Sequence, residues 1–565
     1  MQGPPGEAPG GPELDHGLQG GLTQMSATTG QMTSRPRLSL ATLSLVLFLT
    51  FLDNTIVSVT LSDIQSDLHV GVTGLQWVVS AYALVFASLM LAAGTVSDLV
   101  GRKKVMLAGV AIFCVGSVIG ALAPNVTVLW AARGIMGLGA AASEPGTLSM
   151  IRHLYTDRRE RARALGVWAA VSGLALAAGP VIGGALIGVW SWRAVFWFNL
   201  FFGLLALIGG AIVLPENSDP QAGRRFDFGG FFLGAAALAS TTFAIIAGET
   251  SGYRTWWVIA LFIIGGATFL AFIFFEQRAD NPILDVSFFR KPAFSGAVFT
   301  AFATYFGVFS IFFFVSLYLE VVGSESGYKV ALDFLPMAAT MIIGSAFTGR
   351  WVAEMGPRVP LVFGCAVGTA GIALTAVLLT PTSGVTSIGW PLAIAGLGFG
   401  VAVVPITSTA LAAIPAEHSG MAASTTNTSR ELGAVAGVAI LGSVVNAQLT
   451  VQLAARLQHL CLVAQKGHCV LPAIRFKSLI ITAVTTGTIT GQVKQYEKSK
   501  TLAVIVAKVT RAAYGAFTNG LHLSLAIAGA LMFLSMLISG LTVHGRRSPA
   551  TGPLDEEVSP VGLTS

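Results

Sequence analysis

Charge is what this chain lacks most. Only 11% of its 565 residues are Asp, Glu, Lys or Arg, where an average soluble protein carries about 25%. With 54% hydrophobic residues it cannot cover a water-soluble surface, so the composition implies an integral membrane protein. The formal charge of +6 is no nucleic-acid signal, because the bases gather in short loops between apolar runs. Cysteine is scarce, with four in all. Cys114 and Cys365 sit singly inside apolar runs and read as packing residues. Cys461 and Cys469 flank a short polar turn, and a local disulfide there stays open, since spacing does not establish geometry. The phosphate-loop pattern G-x-x-x-x-G-K-[ST] is missing, which argues against direct ATP drive. No paired catalytic constellation or metal-ligand spacing occurs either, so neither an enzyme nor a bound cofactor is expected. No cleavable signal peptide is recognisable; residues 1–36, rich in Gly, Pro, Gln and Thr, read as a disordered tail, with Met25 and Met32 as alternative starts.

Long apolar runs are what the chain has instead. A helix crossing about 30 Å of hydrocarbon needs roughly 20 apolar residues. Such runs lie near 38–61, 74–96, 104–123, 127–150, 161–188, 193–214, 228–247 and 256–275. Others follow near 294–319, 331–352, 360–380, 388–413, 420–448 and 520–543, which makes fourteen expected spans and an all-α fold. One set of loops carries Arg102 to Lys104, Arg158 to Arg163, Arg224, Arg290 and Arg358; the opposite set holds little beyond Arg193, Arg254 and Lys329. That bias, with an even span number, predicts both termini in the cytoplasm. Residues 449–519 break the pattern of short loops. They are expected outside the membrane, either as a cap on the membrane surface or as a loosely ordered insertion.

The stretch GTVSDLVGRKKVML, Gly94 to Leu107, joins two of these runs. Its glycines permit tight bends, and its bases hold the loop on one side of the membrane. The pattern with Gly94, Asp98, Gly101 and Arg102 resembles the signature loop of major facilitator superfamily transporters. The chain resembles, over nearly all its length, the fourteen-helix drug:proton antiporter branch of that superfamily. The resemblance implies two six-helix bundles, 37–214 and 294–543, the latter holding the 449–519 loop. Two inserted helices lie at 226–276, and tails occupy 1–36 and 544–565. It also implies H+ as coupling ion, a small amphipathic substrate, a monomeric chain in the cell membrane and a cytoplasmic gate formed by the signature loop.

Four further motifs carry the candidate site. LDNTIVSVTL (Leu52 to Leu61) is similar to the branch's first-helix motif and places Asp53 about 22 Å along its span. A carboxylate inside the membrane is costly unless paired or protonated, which makes Asp53 a functional candidate. The fourth run, WAARGIMGLGAAASEPG, holds Arg133 about 9 Å deep. That depth matches Asp53, so an ion pair is expected. Glu144 lies about three turns deeper on the same helix. It either recognises a cationic substrate, adds a second protonatable site, or is neutralised by the basic cluster that begins at Arg152. GLALAAGPVIGG matches the branch's exporter motif through Gly173, Gly179, Pro180, Gly183 and Gly184. There the glycines thin the helix and the proline permits a kink. WSWRAVFWFNL, which follows, resembles an outer-loop pattern and is expected to act by interfacial anchoring. In the second half, GRWVAEMGPR (Gly349 to Arg358) is similar to a worn copy of the signature loop. Arg430 and Glu431 either form a buried charge network or sit beside Gly433 and Gly437, which would pack the helix on its partner half.

Overall fold

A backbone that enters hydrocarbon must satisfy its own hydrogen bonds, and this chain does so with helices. The computed structural model describes residues 3, 36–57, 60–70, 72–216, 227–279, 282, 284–323, 327–379, 385–415, 418–457, 461–465, 468–472 and 500–543. The two expected tails therefore lie outside the described residues, apart from residue 3 and the helix start at Pro36. The first half contains α1 (Pro36–Ile56), a short α2 (Leu61–Leu68), α3 (Val72–Val100), α4 (Arg102–Ala121), α5 (Val126–Leu154), α6 (Arg158–Val189) and α7 (Arg193–Val213). Next come α8 (Phe228–Ser251) and α9 (Trp256–Glu276). The second half contains α10 (Pro292–Val321), a short α11 (Gly327–Asp333), α12 (Leu335–Met355), α13 (Arg358–Leu378), α14 (Val385–Ala413), α15 (Ser419–Leu457) and α16 (Lys500–Thr542).

The few acids in the loops explain several helix starts. The Asp157 carboxylate accepts from the Arg159 and Glu160 amides at 2.9 Å and caps α6. Asn125 caps α5 through the Val128 amide, and Asp227 caps α8 through the Gly230 amide. Among the described residues, twelve helices are long and apolar enough to cross a membrane. A thirteenth is α6, whose stretches 159–176 and 181–189 meet at 42° around Pro180. The expected fourteenth, α12, is not among them, and one of its faces packs on protein. Its Thr340 and Ser345 hydroxyls donate to the carbonyls of Ala393 and Gly400 on α14, at 2.7 and 3.0 Å.

Neighbours repeat between the two halves. α1 packs on α6 and α7, α3 on α5, and α4 on α5 and α7; likewise α10 packs on α15 and α16, α12 on α14, and α13 on α14 and α16. The halves meet where α6 crosses α12 and α3 crosses α15, with α5 also touching α15. The α8–α9 hairpin lies beside this second seam, with α8 against both α3 and α15.

The segment 449–519 differs from expectation. α15 continues to Leu457 and α16 begins at Lys500, so much of the insertion is helix drawn out of two spans. At 1.5 Å per residue the 39 residues of α15 run about 58 Å, well beyond a hydrocarbon core of about 30 Å. The Asn519 amide donates to Gln452 Oε1 at 2.7 Å and ties the two extensions together. Between them a hairpin pairs β1 (Cys461–Gln465) with β2 (His468–Pro472). Its register sets Cys461 opposite Pro472 and Cys469 opposite Ala464. The two cysteines are thus offset by roughly 10 Å along the strands. The expected strand or poor helix SLIITAVTTGTIT lies outside the described residues.

Candidate functional site

Asp53 sits in the last turn of α1 and is fully buried. Both carboxylate oxygens are engaged. Arg133 Nη1 on α5 donates to Oδ2 at 2.5 Å, and Asn199 Nδ2 on α7 donates to Oδ1 at 2.7 Å. Arg133 is held in turn by its Nε, which donates to the Val78 carbonyl on α3 at 2.9 Å. The Tyr82 ring lies against the guanidinium, 4.6 Å from centroid to Cζ. Four helices of the first half therefore fix one acid. Such a network holds a charge in low dielectric only while each member keeps its partner.

A second polar cluster spans the seam between the halves. Glu144 on α5 is buried, and its Oε2 has no hydrogen-bond partner. Arg430 and Glu431 on α15 are buried too. The neighbours that Arg430 bonds to are neutral: Nη1 donates to Asn427 Oδ1 at 2.9 Å and Nη2 to Thr407 Oγ1 at 2.5 Å. Its guanidinium lies between Trp168 of α6 and Tyr305 of α10, at 5.3 and 5.4 Å from their ring centroids. The role expected for Gly433 and Gly437 needs correction. A Cβ on either would meet the carbonyl of Phe302 or Phe306, so they pack α15 on α10 of their own half. Arg430, by contrast, looks across the seam to Trp168.

The signature loop closes the basic ends of the helices. A Cβ on Gly94 would lie 2.7 Å from the Gly420 carbonyl, so α3 and α15 touch there only because this position is bare. Arg102, buried, donates from Nη2 to the Ser419 hydroxyl across the seam at 2.9 Å. Gly101 has φ of 121°, in the region that favours glycine. The side chain of Asp98 lies outside the described residues. The worn copy repeats this geometry. A Cβ on Gly349 of α12 would lie 2.5 Å from the Ala162 carbonyl of α6, and Gly356 has φ of 81°. In the exporter motif Gly179 faces Thr55 and the Ile56 amide on α1, while Gly173 faces Met341 on α12. Gly183 is buried, whereas Gly184 meets open space. Nothing is described of the Pro180 side chain.

The comparisons with known proteins now decide the family. The model of the Major Facilitator Superfamily matches residues 43–438. The chain belongs to the major facilitator superfamily. Multidrug resistance protein Stp of Mycobacterium tuberculosis (strain CDC 1551 / Oshkosh) is 34% identical over 421 residues, 74% of this chain and 78% of that protein. Methylenomycin A resistance protein of Bacillus subtilis (strain 168) is 32% identical over 75% of this chain and 91% of that protein. Among solved structures, the human organic anion transporter MFSD10 (TETRAN) aligns with a TM-score of 0.56 at 15% identity, covering 90% of this chain and all of that one, which speaks for the fold alone. Membership of this superfamily makes the chain a membrane transporter and not an enzyme. Among the described residues no group of three or more His, Cys, Asp or Glu could hold a metal ion.

One residue bonded to Asp53 carries no signal in the sequence motifs. Asn199 closes WSWRAVFWFNL, a stretch read as interfacial anchoring, yet it is fully buried on Asp53. Trp192 departs from anchoring as well. It is 2% exposed and donates from Nε1 to Asp67 Oδ2 at 3.0 Å, whereas Trp190, 72% exposed, suits the interface. The signal available was an amide one helical face away from any apolar need, in a span that otherwise needs none.

Proposed function

We propose that this chain exports amphipathic drugs or xenobiotics in exchange for protons, by alternating access in the cytoplasmic membrane with both termini inside. Secondary active transport of drugs or xenobiotics agrees with its relatives, which include Drug efflux pump JefA of Mycobacterium tuberculosis, 31% identical over 74% of this chain. The finer layout is fourteen spans: two six-helix bundles, 37–214 and 294–543, with 226–276 inserted between them. The repeated order of neighbours in the two halves supports that layout. A monomer suffices for it.

Proton coupling rests on a single observation, the Asp53 carboxylate buried against Arg133 and Asn199. Ionised, it neutralises Arg133 inside the first bundle. A proton arriving from outside removes that charge, frees Arg133 and alters the face that the first bundle shows to substrate. Loss of the proton to the cytoplasm restores the pair. One charge moving down 100 mV supplies about 2.3 kcal/mol, enough to bias each turn some tens of fold. Gly94, Asp98, Gly101 and Arg102 form the cytoplasmic gate in this scheme. Closure of the basic ends through Arg102 and Ser419 supports that assignment. The exporter motif, Gly173 to Gly184, lets α6 bend and slide between α1 and α12.

The test is dye efflux from intact cells that produce the protein. Wild type should extrude the dye only while a proton gradient stands, and Asp53→Asn should lower gradient-driven efflux by about tenfold or more, as loss of a needed protonation step does. Efflux equal in both, with or without the gradient, would leave a proton-independent facilitator on the same fold.

A further inference from the structure

An ionised carboxylate can only accept hydrogen bonds, whereas a protonated one must also donate. Asp53 is fully buried, so that change falls first on the side chains bonded to it. As an anion it is served by two donors, Arg133 Nη1 on Oδ2 and Asn199 Nδ2 on Oδ1. Arg133 has no acceptor to offer an O–H group. Asn199 does. Its amide oxygen is buried and has no hydrogen-bond partner. An idle buried acceptor costs free energy, so its place beside a titratable acid points to a second state that uses it.

The backbone at Asn199 is held. One turn earlier on α7, the Phe196 carbonyl takes the Ser117 hydroxyl of α4 at 2.7 Å, with both residues buried. The amide itself can turn, because the last torsion of an asparagine is broad and roughly two-fold. A half-turn exchanges nitrogen for oxygen at nearly the same place. The charged and titratable side chains gathered around this point are Arg133 of α5 and Tyr82 of α3. Tyr82 is committed elsewhere: its hydroxyl donates to the Thr50 carbonyl of α1 at 3.4 Å, and its ring lies on the guanidinium. From α6, the residue that meets α1 near Asp53 is Gly179, against Thr55.

We propose that Asn199 is a two-way hydrogen-bond switch for Asp53: its amide nitrogen donates to the carboxylate, and its amide oxygen accepts from the protonated acid. The proposal rests on the proton-coupling reading above and adds a positioning residue to it. Hydronium from the outer water gives up a proton, an O–H bond forms at Asp53 Oδ1, and water is left behind. The Asn199 amide turns over and receives that O–H group, while Arg133 is left facing a neutral acid. Oδ1 keeps one bond to the amide in either state, so Asp53 can load and unload without leaving its burial.

Infrared difference spectra between neutral and acidic pH test this on the purified full-length protein in lipid, with asparagine isotope-labelled at its side-chain carbonyl carbon. Wild type should gain a protonated-acid carbonyl band that Asp53→Asn removes, at the lower wavenumber of an acid whose O–H group is bonded. One labelled amide band should move down in the same titration, as that oxygen gains a donor, and should stay still in Asp53→Asn. Asn199→Leu keeps the volume but neither amide atom. It should shift the acid band to higher wavenumber and lower gradient-driven efflux by about tenfold or more, the scale of one hydrogen bond to a charged group. Asn199→Gln, which carries both amide atoms, should keep the acid band low. A residue that merely braces α7 would lose efflux in Asn199→Leu without moving the acid band. An acid band unchanged in Asn199→Leu, or a labelled amide that never moves, would overturn the proposal. Should gel filtration show that Asn199→Leu fails to fold, the labelled amide of wild type decides alone. A wild-type spectrum without any band that Asp53→Asn removes would end proton coupling at Asp53 as well.

Discussion

A buried ion pair is worth less for what it adds than for what breaking it costs. Arg133 and Asp53 neutralise each other at 2.5 Å, both essentially without solvent. Arg133→Ala strands the carboxylate and should cost about 3–5 kcal/mol of stability. Asn199→Ala removes one bond to a charged acceptor and should cost about 1.5–3 kcal/mol. Melting of the purified variants should rank them in that order, with Asn199→Ala the milder. Asp67 and Arg193 form an ion pair that solvent reaches: the side chains are 47% and 34% exposed. Two pairs of the same length thus carry different weight, because water screens only one of them.

At the scale of helices, glycine marks where two of them touch without side chains between. Gly94 and Gly349 occupy matching places in the signature loop and its worn copy, each against a carbonyl of the opposite half. Valine at either position cannot fit without parting the helices, so both substitutions should hold the basic face open and slow transport. Spin labels at exposed Lys104 and Glu354 would then report a longer and broader distance than in wild type. Motif reading found both glycines because a loop signature is local in sequence. The contacts they serve were hidden from it: Gly94 meets residues more than 300 positions away. The same distance explains Asn199, whose partner lies 146 residues earlier.

For the whole molecule, the outer rim of the first half is tied by Asp67. Its carboxylate takes Arg193 Nη1 at 2.5 Å and Trp192 Nε1 at 3.0 Å, while Arg193 Nη2 donates to the Ala123 carbonyl at 3.1 Å. The hydrogen bond from Arg193, chiefly, holds the Asp67 carboxyl below its ordinary range. A folded-state value lowered in this way adds stability above the unfolded value, near about 3.9, and loses it as pH falls through the lowered one. Asp67→Asn should therefore melt below wild type at neutral pH, by a modest amount given the exposure. The gap should persist to about pH 4 and close in stronger acid. A gap that stays constant across that range would mean the carboxylate charge plays no part.

Hydropathy and local motifs by themselves determined that this chain is a helical membrane protein, where nearly every long helix lies, and that Asp53, Arg133 and Glu144 are the charges worth asking about. Those properties are written in runs of neighbouring residues, where desolvation cost and helical period act. Tertiary structure alone decided that α12 hides its hydroxyls on α14, that α15 and α16 outgrow the membrane, and that Cys461 and Cys469 are out of register. It also decided that Asn199 completes the Asp53 network and that Arg430 lies against Trp168 across the seam. Each of these depends on which distant backbone supplies the partner, and no local pattern encodes that choice.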